Sequence, residues 1–299
     1  MEQPLVSIVI ITYNSSKYVL ETLESAKRQT YKNIELVISD DASKDNTVEI
    51  CQEWIGENSS RFANVKLVTS HENTGIAPNA NRGWYQAKGL WVKGIAGDDK
   101  LLTNCIADDM DFVIHHPKTD ILFSKIVPIG NMEAAKNCGF LNVERFFEHL
   151  DKKEFEINLL WANFLPAASE FISRSCFLEL GGWDESMPFM EDWPFWIKAL
   201  EHDKTISFLN KETVCYRFSQ GSISQRQTNS KVFQKYMDSY NRAIMMAHRI
   251  LYAKYPGAHY YFKTLEMKSK GNNLCKLLYY TNIINPFYYK LNKIKKLSK

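Results

Sequence analysis

The run Val6-Ser7-Ile8-Val9-Ile10-Ile11 constrains the fold more than any other feature of this chain. It is almost continuously apolar and rich in β-branched residues. Such a run suits a strand covered on both faces, the usual situation in a parallel sheet. It stops at Thr12-Tyr13-Asn14 and has no basic segment before it, so it reads as a core strand and not as a secretion signal. Leu36-Val37-Ile38, Val65-Lys66-Leu67-Val68 and the stretch from Trp91 to Ala96 repeat the pattern. Between these strands the period changes. Val19, Leu23 and Ala26 recur at helical spacing after caps offered by Asn14-Ser15-Ser16. Asp45-Asn46-Thr47 can cap a helix carrying Val48, Cys51, Trp54 and Ile55 on one face, and Asn79 to Lys88 reads as a third helix. The alternation predicts an α/β fold with a doubly wound, mostly parallel sheet flanked by helices.

Further on, Cys105 to His115 and Val143 to Leu150 read as helices, and Ile121 to Ile126 and Phe171 to Ser173 as strands. Asp192 to Glu201 is a helix with Phe195, Trp196 and Leu200 inward. With 299 residues and 45% hydrophobic content, the chain can bury one large α/β domain plus an extension. A net charge of +3 is too small to argue for a nucleic-acid partner. Six scattered cysteines without a C-x-x-C pair read as reduced, mostly buried thiols in a cytoplasmic setting.

Ligands of open α/β sheets bind outside the carboxyl ends of the strands. Two strands here end there in paired aspartates, Asp40-Asp41 and Asp98-Asp99. Gly97 would let the backbone turn tightly so that the second pair projects. Two hard carboxylates suit Mg²⁺ or Mn²⁺ with positions left for phosphate oxygens. Asp108-Asp109, inside a helical stretch, reads instead as a solvated pair. Glu191-Asp192 opens a helix, where acids are favoured by the macrodipole and where a general base would also be well fixed.

Together these motifs carry a resemblance. The segment from Val6 to Thr47, with I-I-T-Y-N and V-I-S-D-D-A-S-K-D-N-T, resembles the opening of family 2 glycosyltransferases of the GT-A fold. H-E-N-T-G-I-A-P-N-A-N-R-G, the following G-D-D and the run G-G-W-D-E-S-M-P-F-M-E-D-W-P-F-W are similar to the family's later blocks. The resemblance covers residues 4–222, which implies a GT-A domain over 1–222. Its nucleotide-binding part is about 1–100, its acceptor part about 101–222, and a basic, aromatic helical extension covers 223–299.

The resemblance implies roles residue by residue. Thr12 and Tyr13 line the nucleotide pocket, Asp41 recognises the base, Asp98 lies near the ribose and sugar, and Asp99 binds a divalent metal, Mn²⁺ or Mg²⁺. Asp192 is the catalytic base, supported by Glu191. It implies a nucleotide-sugar donor, by default a UDP-sugar, single displacement with inversion, and a glycan or lipid-linked acceptor. The chain departs from the pattern at Ala80, where many members have arginine. Arg82 stands close by and is expected at the surface. Arg217, with Arg226 behind it, is the phosphate partner expected near the end of the domain. Trp193, beside the base, is the aromatic candidate for acceptor binding.

Nine lysines between Lys263 and Lys299 face one acid, Glu266, and alternate with Leu277-Leu278-Tyr279-Tyr280 and Phe287-Tyr288-Tyr289. This tail suits either an anionic membrane surface or a helical pair packed on the domain with a solvated lysine face. The first places the protein peripherally on the inner face of the cell membrane. No stretch reaches the length of a spanning helix. A nucleotidyltransferase would want a glycine-rich basic loop after the first strand, and an oxidoreductase a G-x-G-x-x-G there. Neither is present. A non-catalytic nucleotide-sugar or carbohydrate-binding protein derived from a transferase is the competing reading, against which stand the retained Asp41, Asp98, Asp99 and Asp192.

Overall fold

The computed structural model describes residues 3–135, 139–218 and 231–255. Eight strands form one sheet: β1 (Val6–Thr12), β2 (Ile34–Asp40), β3 (Asn64–Thr69), β4 (Trp91–Ala96), β5 (Lys100–Leu101), β6 (Ile121–Gly130), β7 (Phe171–Ser173) and β8 (Ile206–Phe218). Their order is β3-β2-β1-β4-β7-β6-β8-β5. The first four are parallel, β7 runs antiparallel between β4 and β6, and β8 is parallel to β6 with β5 antiparallel at its edge. The fold is the expected mostly parallel α/β sheet.

Apolar residues of β1 divide between two cores. Val9 joins Val37, Trp84 and Val92 on one face, while Ile8 and Ile10 join Leu36, Ile38 and Cys51 on the other. That is why the run shows no alternation: both faces are covered. Each such side chain, removed fully from water, stabilises the fold by about 1.5–3 kcal/mol. Helices α1 (Val19–Lys27), α2 (Thr47–Asn58) and α4 (Cys105–His115) send side chains into the second core, and α3 (Ile76–Trp84) into the first. The Asn14-Ser15-Ser16 cap is not made. Tyr18 is the N-cap of α1 and makes no side-chain cap bond, and Asn14 instead takes a positive φ of 52°.

The middle of the chain supplies α5 (Met132–Ala135), α6 (Glu144–His149), α7 (Lys152–Trp161), α8 (Arg174–Glu179) and α9 (Asp192–Glu201). Helix α7 went unread in the sequence because it is buried from Phe155 through Leu160 and shows little amphipathic period. Its signal was the capping box, in which Asp151 accepts from the Glu154 amide and Glu154 from the Asp151 amide. Helix α10 (Lys231–Lys254) packs on α7 and α9.

Asp108 pairs with Lys211 at 2.6 Å, but the solvated reading fails for Asp109. Asp109 is wholly buried beside the equally buried Lys93, 3.8 Å from its Nζ. Of the cysteines, Cys51, Cys105 and Cys176 are buried free thiols, Cys215 is partly exposed, and Cys138 and Cys275 lie outside the described residues. Arg226 and the 263–299 tail also lie outside them. Among the described residues no helix is long and apolar enough to cross a membrane.

Candidate active site

The parallel register sets Thr12 beside Asp40 and Ile11 beside Ala96, so the loops after β1, β2 and β4 emerge along one edge. Their connections are tight. Asn14 and Ala42 both have positive φ, 52° and 61°, uncommon for residues other than glycine. The Asn14 amide donates to Ser43 Oγ at 2.8 Å, and the Lys44 amide to Asn14 Oδ1 at 2.7 Å. Asp40 is consumed in this lock, accepting from Thr12 Oγ1 at 2.8 Å and from the Ser43 amide and hydroxyl. Thr12 is therefore a brace: its hydroxyl serves Asp40, and its carbonyl accepts from the Asp41 amide and from Asn79 Nδ2. Tyr13 is exposed at the strand end.

Asp41 is almost fully buried and accepts four bonds. They come from the Thr74 amide at 2.9 Å, the Gly75 amide at 2.7 Å, Thr74 Oγ1 at 2.6 Å and Arg82 Nη2 at 3.3 Å. A carboxylate offers about four acceptor positions. In this conformation Asp41 clamps the loop that opens α3, and a base N–H reaching it has to replace one of these donors. Arg82 is not the surface arginine expected from its sequence. It spans Asp41, Asn79 Oδ1 and Thr74 Oγ1, because the helical turn from Asn79 to Arg82 aims both side chains at the end of β2.

Asp99 is buried. Its Oδ1 accepts from the Arg217 amide at 2.7 Å, and its carbonyl accepts from Thr22 Oγ1 at 2.7 Å. Burial raises the carboxyls of both Asp98 and Asp99, and the charge of Asp98 pushes Asp99 well above the ordinary range. Arg217 arrives on β8. Its Nε donates to the Asp98 carbonyl at 2.7 Å, its Nη2 to Glu21 at 3.0 Å, and its guanidinium lies 4.0 Å from the Tyr18 ring centre. The expected phosphate partner is thus engaged in bracing the aspartate pair. Gly97 has no positive φ. It is needed because a Cβ there would lie 2.8 Å from Thr12 Cγ2.

A second acidic group stands beside the same strand. Asp192 is the first residue of α9; its Oδ2 accepts from Asn163 Nδ2 at 2.8 Å and its Oδ1 from the Trp193 amide at 2.7 Å. Glu191 Oε2 is buried and has no hydrogen-bond partner among the described residues. Burial raises both carboxyls, and mutual repulsion adds to it at Glu191. Glu170, which sequence reasoning missed, joins them. It precedes β7 directly, and its Oε1 would lie 2.6 Å from a Cβ placed on Gly94 in β4. Burial lifts its carboxyl well above the usual range, and the charges of Asp192 and Glu191 add to the shift. Asn81 ties the preceding loop to α3, accepting from the Trp183 amide at 2.9 Å and donating to Glu185 at 2.7 Å. Phe189, two residues before Glu191, is held at φ 65°.

Trp193 does not face an acceptor. It is fully buried, and its indole N–H donates to the Leu159 carbonyl at 2.8 Å. Adjacent residues of a helix point about 100° apart, so a base at the first position and a core anchor at the next are compatible. Asn163 and Glu170 carry no motif in the sequence; Glu170 shows only as an acid directly before an apolar strand.

A parallel half-sheet with paired aspartates at its carboxyl edge, and an acidic helix start beyond it, is the arrangement of GT-A-type proteins. Residues 7–158, just over half of the chain, match glycosyl transferase family 2, and the chain belongs to that family. An uncharacterised glycosyltransferase of Rickettsia typhi is 29% identical over 199 residues, 66% of this chain and 59% of that protein. Glycosyltransferase GlyG of Streptococcus pneumoniae is 34% identical over 102 residues, 34% of this chain and 33% of that one. The chain thus spans less than two thirds of the length of these relatives. In fold it is similar to residues 1–349 of S. aureus TarS, solved in complex with UDP-GlcNAc. The TM-score is 0.59 at 21% identity, covering 82% of this chain and 66% of TarS 1–349.

Proposed function

We propose that the protein transfers a sugar from a nucleotide-diphosphate donor, a UDP-sugar by preference, to a hydroxyl of a glycan or lipid-linked acceptor. The observation that carries this reading is the pair of acidic centres on β4: Asp98-Asp99 past its end, and Glu170 beside Gly94 with Glu191 and Asp192 in its field. The family membership and the UDP-GlcNAc complex of TarS support it. The sugar is a hexose or N-acetylhexosamine.

Two adjacent carboxyls, of which the buried Asp99 is raised by burial and by the charge of Asp98, suit a dication, which needs only one or two carboxylates when substrate phosphates complete its shell. Asp99, with Asp98, would hold Mn²⁺ or Mg²⁺, which would neutralise charge on the departing diphosphate. Tyr13, exposed at the end of β1, would cover the base. Asp192 takes the proton of the acceptor hydroxyl while that oxygen bonds to the anomeric carbon and the bond to the diphosphate breaks, releasing UDP. A single base fits one displacement with inversion. Asn163 and the Trp193 amide hold the Asp192 oxygens in place.

Calorimetry with UDP, GDP, CMP and dTDP, with and without Mn²⁺, tests the donor site. Metal-dependent binding of one nucleotide, abolished in Asp99→Ala, is expected. Binding that ignores both the metal and the substitution would remove the proposal's support.

The base must be ionised to act, and its carboxyl is raised. The rate should therefore climb with pH along a limb lying above the ordinary carboxylate range. Asn163→Leu removes a hydrogen bond that favours the charged form of Asp192 and should move that limb to higher pH. A limb that stays put in the pH–rate profile would exclude Asn163 as a group that tunes Asp192.

A further inference from the structure

Helix α10 supplies an aromatic face that no part of the transferase reading uses. It runs parallel to α9. Near its end, Lys254 bonds Asp203 at 2.7 Å, just past the end of α9, while nearer its start the Tyr240 ring lies 5.7 Å from that of Trp193. Ala243, Ala247, Ile250 and Leu251 bury its C-terminal half, and Arg242 donates to the Ser186 carbonyl in the loop leading to Glu191. The N-terminal turns of α10 therefore extend past the start of α9, where Asp192 sits.

These turns carry rings at i, i+3 and i+7. Tyr240 is 6.3 Å from Tyr236, stacked at 16°, and Tyr236 is 6.4 Å from Phe233. With a helical rise of 1.5 Å per residue, the row reaches about 10 Å from Tyr240 to Phe233. Tyr236 and Tyr240 pack against the main core on one side and are partly exposed. The phenol of Tyr236 is raised, by burial first and then by the charge of Asp192, so it stands within that carboxylate's field.

We propose that Tyr240, Tyr236 and Phe233 form a track that holds the acceptor as a glycan chain, its pyranose rings stacked on the aromatic faces and its end hydroxyl delivered to Asp192. This rests on the transferase reading. The chemistry selects a sugar: each pyranose has an apolar C–H face for a ring and hydroxyls for a phenol. A hydrocarbon chain would gain nothing from two tyrosine hydroxyls. Trp193, which the sequence offered as the acceptor contact, backs the track from within.

A printed array of defined bacterial oligosaccharides, probed with the full chain in the presence of UDP, tests the track. Wild type should retain at least one glycan, and Tyr236→Ala and Tyr240→Ala should hold it about three- to tenfold more weakly. Tyr236→Phe, which keeps the ring, should retain most of the signal. UDP binding by calorimetry should be unchanged in all three, which also shows that they are folded. Undiminished retention by the alanine variants would overturn the track. So would a wild type that binds UDP but no glycan. Binding to glycan-free phosphatidylglycerol vesicles that is lost in the alanine variants, without glycan retention, would assign the face to lipid instead. Absent UDP binding with glycan retention intact would count against the donor site and leave the track standing.

Discussion

Asp192→Asn is expected to slow transfer about 10²–10⁴-fold, the usual contribution of a positioned general base, while nucleotide binding stays near wild type. The substitution is close to isosteric. Asparagine can still accept through its oxygen from the Trp193 amide or Asn163, so the start of α9 should keep its place. What disappears is the proton acceptor. Steady-state rates with UDP-sugar donor, paired with UDP calorimetry, separate the two effects. A variant that turns over at the wild-type rate would move the base elsewhere, and Glu170, buried beside the same strand, would be the next residue to replace. A variant that loses UDP binding as well would show that Asp192 supports the fold of the site and not its proton transfer.

Asp109→Ala should destabilise the protein by about 3–5 kcal/mol, the range for leaving one buried charge without its partner. Lys93 is completely buried in β4; its Nζ donates to the Ser169 carbonyl at 2.8 Å and faces Asp109 at 3.8 Å. Removing the carboxylate strands the ammonium in the core. Burial pushes the Asp109 carboxyl from its ordinary 3.8 up to about 6 against the pull of Lys93. The folded state therefore binds this proton more tightly than the unfolded chain does. The share of stability that comes from binding this proton is greatest below about pH 4 and is lost as pH rises to about 6, while the pairing of the ionised carboxylate with Lys93 operates above that range. Urea unfolding at neutral pH measures the loss. The double variant Lys93→Met, Asp109→Leu should recover most of it, since apolar residues of similar size can replace a buried pair. A double variant as unstable as the single would show that packing, and not the stranded charge, sets the cost.

These two predictions differ in how far the sequence foresaw their residues. Asp192 was visible because a helix start, an acidic doublet and a family motif coincide within a few residues. Lys93-Asp109 was not. Asp108-Asp109 looked like a solvated pair, and nothing local distinguishes the acid that turns to Lys211 from the one that turns into the core. Arg82 and Trp193 teach the same lesson in opposite directions. An arginine expected at the surface proved to hold Asp41, and a tryptophan expected at the acceptor proved to be anchored on Leu159.

What the sequence by itself determined was whatever depends on neighbours along the chain. The unbroken apolar run of β1 demanded two covered faces, the helical periods placed α1, α2, α4 and α9, and the strand ends delivered Asp41 and Asp98-Asp99 to one edge. Periodicity and caps are local quantities, so they can be read one window at a time. Only the tertiary structure decided how those groups are held. Asp41 is clamped by Thr74, Gly75 and Arg82, Asp99 by an amide of β8 more than a hundred residues away, and Asp192 by Asn163. Glu170 and the Tyr236–Tyr240 face come near Asp192 only through packing. Burial and through-space charge depend on what the chain brings close in three dimensions, and sequence spacing does not carry that distance.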